Sequence, residues 1–245
     1  MFAGNPAAVC PLEGWIDDQT MQGIANENNV SETAYFVRNG DHYDLRWFTP
    51  AREIDLCGHA TLASAFVIFE FLDRSAGTVT FHTKSGPLTV KRDHDMLVME
   101  FPSRPPVACD PPAVLVEGLG RKPREVLRSR DLMAVYESEQ DVRALKPRMD
   151  TLLDLDTLGV IVTAPGSEAD FVSRFFAPKA GVPEDPVTGS AHCTLIPYWA
   201  RRLGRSRLRA LQVSRRGGEL FCEDHGERVT IAGRAVLFLE GTIRV

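Results

Sequence analysis

The chain has 245 residues, of which 44% are hydrophobic and 25% charged, and 28 Lys and Arg face 33 Asp and Glu for a formal charge of −5. This composition excludes disorder, collagen-like repeats and coiled coil, and the length suits one large domain or two compact ones. The acidic balance and the lack of a basic stripe argue against a nucleic-acid partner. The five cysteines (Cys10, Cys57, Cys109, Cys193 and Cys222) are widely spaced with no Cys-x-x-Cys, which suits a reducing cytoplasm better than a disulfide framework. The first residues show no basic and apolar leader. The longest apolar stretch, Ala60 to Leu72, is interrupted by Glu70 and falls short of the roughly 20 residues that cross a bilayer. A cytoplasmic, membrane-free protein is expected.

Asp17–Asn28 is predicted as a helix, with Met21, Ile24 and Ala25 at helical spacing. Thr33–Val37 and Tyr43–Phe48 are predicted strands joined through Asn39-Gly40, a hairpin signal. Ala60–Leu72 is apolar on every side and is expected to be a fully buried helix. Thr78–Thr83, Pro87–Arg92 and Met96–Phe101 form a predicted meander with turns at Ser85-Gly86 and Asp93-His94-Asp95. The Pro-rich stretch from Pro102 to Pro112 marks a domain boundary, dividing the chain into 1–106 and 107–245. Beyond it, helices are predicted at Ala113–Leu119, across Glu139–Leu155 and at Ser190–Leu203. Strands are predicted at Leu132–Tyr136, Gly159–Thr163 and Phe171–Phe176. A closing meander has turns at Gly217-Gly218, Asp224-His225-Gly226 and Ala232-Gly233.

The two halves follow one plan of hairpin, motif loop, apolar helix and meander. The first loop runs from Phe48-Thr49-Pro50 through Glu53 and Asp55 to Cys57-Gly58-His59-Ala60. The second runs from Phe176-Ala177-Pro178 through Glu184-Asp185 to Gly189-Ser190-Ala191. Each passes from Phe-x-Pro through an acidic pair to a glycine opening a helix. Duplication, with two related domains about a pseudo-twofold axis, is the expected origin.

A helix N-terminus offers unpaired N–H groups and partial positive charge to an anion. Gly58-His59 and Gly189-Ser190 are two such places, suited to a carboxylate-bearing small molecule. Taken singly, either glycine merely permits a tight turn; the pairing favours ligand binding. Glu32, entering an apolar strand from a polar loop, is a candidate general acid/base, although a strand-edge glutamate is the blander reading. His59 and Asp185 flank the helix starts and could relay a proton, or serve as a satisfied polar group and an N-cap. Cys57 could be a thiol activated by the helix dipole, but Asp185-Pro186-Val187 supplies no second cysteine for a two-thiol racemase. No ligand spacing supports zinc held by Cys57, His59, His192 and Cys193, so no metal is expected. Phosphate-loop and dinucleotide fingerprints are absent.

Gly4-Asn5-Pro6-Ala7-Ala8-Val9-Cys10, Ser31-Glu32-Thr33-Ala34, Asp55-Leu56-Cys57-Gly58-His59-Ala60-Thr61 and Glu184-Asp185-Pro186-Val187-Thr188-Gly189-Ser190-Ala191-His192 together resemble the PhzF-like phenazine biosynthesis family. Gln212 to Glu219 fits it too, so the resemblance spans the chain. It implies an α+β, diaminopimelate epimerase-like fold of two pseudo-symmetric domains, each a β barrel or sheet around a central helix, with the active site between them. It also implies a strand ahead of Gly4-Asn5-Pro6, so either the start is misassigned or the first barrel lacks a strand.

By the same resemblance, Glu32 is the base that moves a proton across one face of a dihydro-hydroxyanthranilate-like substrate. His59, Asp185 and Ser190 position substrate and assist the proton, Gly58 and Gly189 offer backbone donors, and Asn5 and Cys57 join the substrate-binding set. A homodimer is implied, and the expected activity is a cofactor-free, one-base isomerisation of a small carboxylate-bearing metabolite. A thiol-dependent epimerase or racemase using Cys57, and a non-catalytic binding or regulatory protein on the same scaffold, are the alternatives.

Overall fold

The computed structural model describes residues 1–245 and separates into two units, Asn5–Glu100 with Met1 and Ala232–Val245, and Phe101–Ile231 with Phe2–Gly4. In the first, β1 (Ala7–Leu12) leads to α1 (Asp18–Asn28), β2 (Glu32–Asn39), β3 (His42–Phe48) and the short β4 (Glu53–Ile54). Then come α2 (Gly58–Val67), a π-helical turn at Ile68–Leu72, β5 (Thr78–Thr83), β6 (Gly86–Asp93) and β7 (Met96–Pro102). The strands lie in the order β1-β2-β3-β5-β6-β7, with β4 on β3. Asp17 caps α1 by accepting from the Thr20 N–H, and Asn29 ends the helix in the left-handed region. Met21, Ile24 and Ala25 of α1 pack on Tyr35 and Phe48. The buried stripe of α2 is Ala60, Thr61, Ser64 and Ala65, small side chains that allow close approach.

In the second unit β8 (Val107–Ala108), α3 (Ala113–Leu119), β9 (Glu125–Arg128) and β10 (Leu132–Val135) precede α4 (Glu139–Ala144) and α5 (Met149–Leu152). β11 (Val160–Pro165), β12 (Phe171–Ala177), β13 (Val182–Asp185), α6 (Gly189–Leu203), β14 (Arg207–Gln212), β15 (Gly218–Asp224) and β16 (Arg228–Gly233) follow. The strand order is β16-β15-β14-β12-β11-β10-β9-β8, with β13 on β12. Both sheet faces are covered, which explains the unbroken apolar strands. Ile161, Phe171 and Phe175 face a cluster built on α6, whereas Val160, Val162, Val172 and Phe176 face one built on α3, α4 and α5. Trp199 of α6 stacks on Phe171 with ring centroids 5.7 Å apart and donates from Nε1 to Thr163 Oγ1 at 3.0 Å.

The pairing pattern repeats. β1 and β2 are parallel, β2 and β3 antiparallel, β4 folds back on β3, and after the helix β5 lies parallel to β3 and antiparallel to β6. β10, β11, β12, β13, α6, β14 and β15 reproduce this order and these directions. A side-chain clamp repeats with it. Arg46 on β3 donates from two nitrogens to Glu53 on β4 at 2.8 and 3.0 Å. Arg174 on β12 does the same to Glu184 on β13 at 2.7 and 3.0 Å. Each guanidinium also lies over the phenylalanine two residues on, Phe48 at 5.2 Å and Phe176 at 4.8 Å.

Several sequence expectations are corrected. Glu139–Leu155 is not one helix, because Pro147 cannot continue it; α4 stops at Ala144 and α5 starts at Met149. The Ala60–Leu72 segment is not fully buried. It ends in the π-helical turn, where Phe71 and Leu72 are exposed and Glu70 pairs with Arg92 at 2.7 Å. Ala232-Gly233 is no turn but the end of β16, and no regular element follows it. The units divide at Glu100–Phe101, not at 106/107, and Ala232–Val245 groups with the first unit. The Pro-rich stretch belongs to the second unit because Ser103 N–H bonds to Glu227 O and Arg104 N–H to Cys193 O, both at 2.9 Å. No helix is long and apolar enough to cross a membrane.

His192 is a core histidine. It is wholly buried, donates from Nδ1 to the Thr188 carbonyl at 2.8 Å and leaves Nε2 without a hydrogen-bond partner. Burial pushes its pKa down to about 4. The unfolded chain takes up this proton near pH 6.5 and the folded protein only near 4, so stability falls across that window as pH drops. Above it the group contributes nothing. Urea denaturation at stepped pH should show about 3 kcal/mol of this loss in the wild type and a flatter profile in His192→Gln. In the clamp, Arg174→Met leaves Glu184 without its guanidinium and should lower unfolding free energy by about 2–3 kcal/mol. Arg174→Met/Glu184→Leu should recover the part owed to the unpaired Glu184 carboxylate, the Val142 and Leu145 carbonyls losing Arg174 in both; equal losses in both variants would refute the clamp.

Candidate active site

In the first unit the chemistry gathers where β2 begins and α2 begins. Glu32 is the first residue of β2, and Ser31 ahead of it donates to Asn5 Oδ1 at 2.7 Å, so Asn5 holds the approach to Glu32. Cys57 is the N-cap position of α2, and no side chain caps this helix. The first turn therefore keeps backbone donors at Gly58 and His59 available to an anion. One step into the helix, the His59 ring reaches both neighbours: Nε2 lies 2.9 Å from Glu32 Oε2 and Nδ1 lies 3.5 Å from Cys57 Sγ. Glu32 Oε2 and His59 Nε2 are buried and have no other polar partner.

Burial disfavours charge on His59, but the sulfur of Cys57 and the carboxylate of Glu32 outweigh it and hold the imidazole pKa well above its ordinary value. Burial pushes the Cys57 thiol up, opposed by His59. Burial thus works against charge on both side chains, and their mutual contact works for it. One donor atom from each of Glu32, Cys57 and His59 lies within 4.8 Å of the others, so this set also has the donors to ligate a divalent ion.

In the second unit Asp185 closes β13 and Thr188 is the N-cap position of α6, again with no side-chain cap. Thr188 donates from Oγ1 to Asp185 Oδ2 at 2.5 Å and from its N–H to Gln212 Oε1 at 2.8 Å. Gln212 in turn donates from Nε2 to the Asp185 carbonyl at 2.8 Å and to Thr188 Oγ1 at 3.1 Å. The loop is thereby locked, and Asp185 is oriented by Thr188 instead of capping the helix itself. A Cβ added at Gly189 would meet nothing within 4 Å. Ser190 Oγ accepts from Arg130 at 3.2 Å, and Arg130 Nε lies 3.2 Å from Asp131. Asp131 is buried, and that burial raises its pKa against the pull of Arg130.

Of the residues singled out from sequence, the structure joins Glu32, Cys57, Gly58 and His59, with Asn5 one hydrogen bond behind Glu32. It places Asp185, Gly189 and Ser190 together at the head of α6. It does not use His192 as a ligand or relay, since its Nδ1 is committed to the Thr188 carbonyl. Sequence reasoning passed over Thr188 and Gln212, although both sat inside quoted motifs, and Arg130, for which no local pattern gave a signal.

Residues 1–241 match the PhzC-PhzF family, described as phenazine biosynthesis-like protein. A protein of Pseudomonas aeruginosa described as an uncharacterized isomerase is 51% identical over 244 residues, covering 100% of this chain and 94% of the relative. The crystal structure of a PhzF family protein from Enterococcus faecalis is 48% identical, with a TM-score of 0.98 over 100% of this chain and 94% of that one. At the level of fold alone, a probable proline racemase from Agrobacterium radiobacter superposes with a TM-score of 0.60 at 11% identity, over 94% of this chain and 82% of its own. The α+β, epimerase-like fold and these identities converge: the chain belongs to the PhzC-PhzF phenazine biosynthesis-like family and is an isomerase of that family.

Proposed function

We propose that this isomerase works without a cofactor, moving one proton on a small carboxylate-bearing metabolite with Glu32 as the single base. The observation that carries this reading is the Glu32–His59 contact at 2.9 Å, whose facing atoms Oε2 and Nε2 are buried and have no other polar partner. His59 occupies one carboxylate oxygen and leaves the other for the substrate. The Glu32 carboxylate takes a proton from a substrate carbon, and the C–H electron pair moves into the conjugated system ending in the substrate's carboxylate. The Glu32 carboxylic acid then returns the proton to a different carbon, so atoms and charge balance within one turnover. His59 Nε2, 2.9 Å from Glu32 Oε2, orients the carboxylate. The uncapped start of α2 favours the substrate's negative charge. The family resemblance assigns Asp185, Gly189 and Ser190 to substrate positioning. A homodimer in the cytoplasm is part of the same proposal.

Cys57 supports a second reading, in which the thiol carries the proton, because its sulfur lies 3.5 Å from His59 Nδ1. The raised thiol pKa favours the carboxylate, since a nucleophilic or basic cysteine acts as thiolate.

Incubation with small-carboxylate metabolite extracts in D2O, followed by mass spectrometry, should reveal an isomeric conversion with deuterium in the product. Glu32→Gln should reduce that incorporation by at least about 100-fold while circular dichroism stays unchanged; undiminished exchange would remove Glu32 as base. Cys57→Ser separates the two readings: the carboxylate mechanism expects exchange within about threefold of wild type, the thiol mechanism expects its loss.

A further inference from the structure

On β3 the side chains alternate, with Tyr43, Leu45 and Trp47 buried and His42, Asp44 and Arg46 on the outer face. On β5, Phe81 is buried and its neighbour His82 is exposed. The parallel pairing of these strands sets Tyr43 opposite Phe81 and Asp44 opposite His82. Two-residue periodicity and this register bring His42, Asp44 and His82 onto one face. They lie near the turn of the β2–β3 hairpin, whose other end carries Glu32.

The rings of His42 and His82 stack with centroids 3.8 Å apart and planes 22° from parallel. His42 Nε2 is 3.5 Å from Asp44 Oδ1, and Nδ1 is 3.2 Å from Asp41 Oδ1. One donor atom from each of His42, Asp44 and His82 lies within 4.8 Å of the others. We propose that His42, Asp44 and His82 form a surface site for a divalent transition-metal ion, distinct from the Glu32–Cys57–His59 cluster. A tetrahedral ion with bonds of about 2.0–2.1 Å needs donors about 3.3–3.5 Å apart. His42 and Asp44 already have that spacing, and a donor atom of the exposed His82 lies within 4.8 Å of theirs. Two imidazoles and one carboxylate suit zinc, nickel or copper, whereas magnesium and calcium favour all-oxygen sets. Water completes the coordination. The ion ties β5 to β3, whose ladder has only the two rungs Tyr43–Phe81 and Asp44–His82.

Isothermal titration of the untagged full chain with zinc chloride, alongside thermal melts with and without zinc, tests the site. The wild type should bind zinc and melt higher in its presence. His82→Ala and Asp44→Ala, both outer-face changes, should weaken that binding by at least about tenfold, since even outer-shell partners of a metal site contribute this much. Cys57→Ala, which breaks the other donor set, should keep it. Absence of zinc binding in the wild type, unchanged binding in His82→Ala with Asp44→Ala, or loss confined to Cys57→Ala would each overturn the proposal.

Discussion

A two-pronged bond from an arginine on a central strand to a glutamate on the hairpin that folds back over it organises each half of this protein. Arg46 grips Glu53 and Arg174 grips Glu184. Planar guanidinium-to-carboxylate pairing fixes direction as well as distance, so the loop leaving the hairpin can enter the next helix along one path. That loop carries Cys57, Gly58 and His59 in one half and Asp185, Thr188 and Gly189 in the other. Arg174 also donates to the carbonyls of Val142 and Leu145, binding α4 to the same strand. The acidic residues that mark both motif loops are therefore of two kinds. Glu53 and Glu184 hold the scaffold, while Asp185 stands one residue nearer the helix and is oriented by Thr188.

The environment of the Glu32–Cys57–His59 cluster is set by burial, partial at Glu32 and His59 and nearly complete at Cys57. Glu32 Oε2 and His59 Nε2 are buried against each other, so their contact is the one polar interaction each of these atoms has. Burial pushes the Cys57 thiol up, opposed by His59. The uncapped N-terminus of α2 adds an anion-favouring end to this cluster, and the uncapped N-terminus of α6 repeats that device beside Asp185 and Ser190.

Much of this was legible in the residues. The duplicated Phe-x-Pro loops announced a duplicated topology, and strand order and direction repeat through both halves. Ser31-Glu32-Thr33-Ala34 and Cys57-Gly58-His59 pointed to groups that do meet, although 25 positions separate Glu32 from Cys57. The readings that failed did so where a local pattern met a competing constraint. Apolar spacing across Glu139–Leu155 suggested one helix, but Pro147 removes a donor and clashes with the preceding turn. The all-apolar Ala60–Leu72 stretch suggested complete burial, but only one stripe of a helix can face a sheet, and its last residues turn outward.

By itself, the sequence determined the class of fold, the repeat and the identity of the chemical groups, because periodicity, turn residues and motif order are local and additive. Only the tertiary structure decided which groups touch and which of them are buried. Pairing Glu32 with His59, silencing His192 against Thr188, recruiting Gln212 to lock Asp185, and setting His82 beside Asp44 all depend on strand register and burial. Those quantities are set by packing between segments far apart in the chain, and no local pattern encodes them.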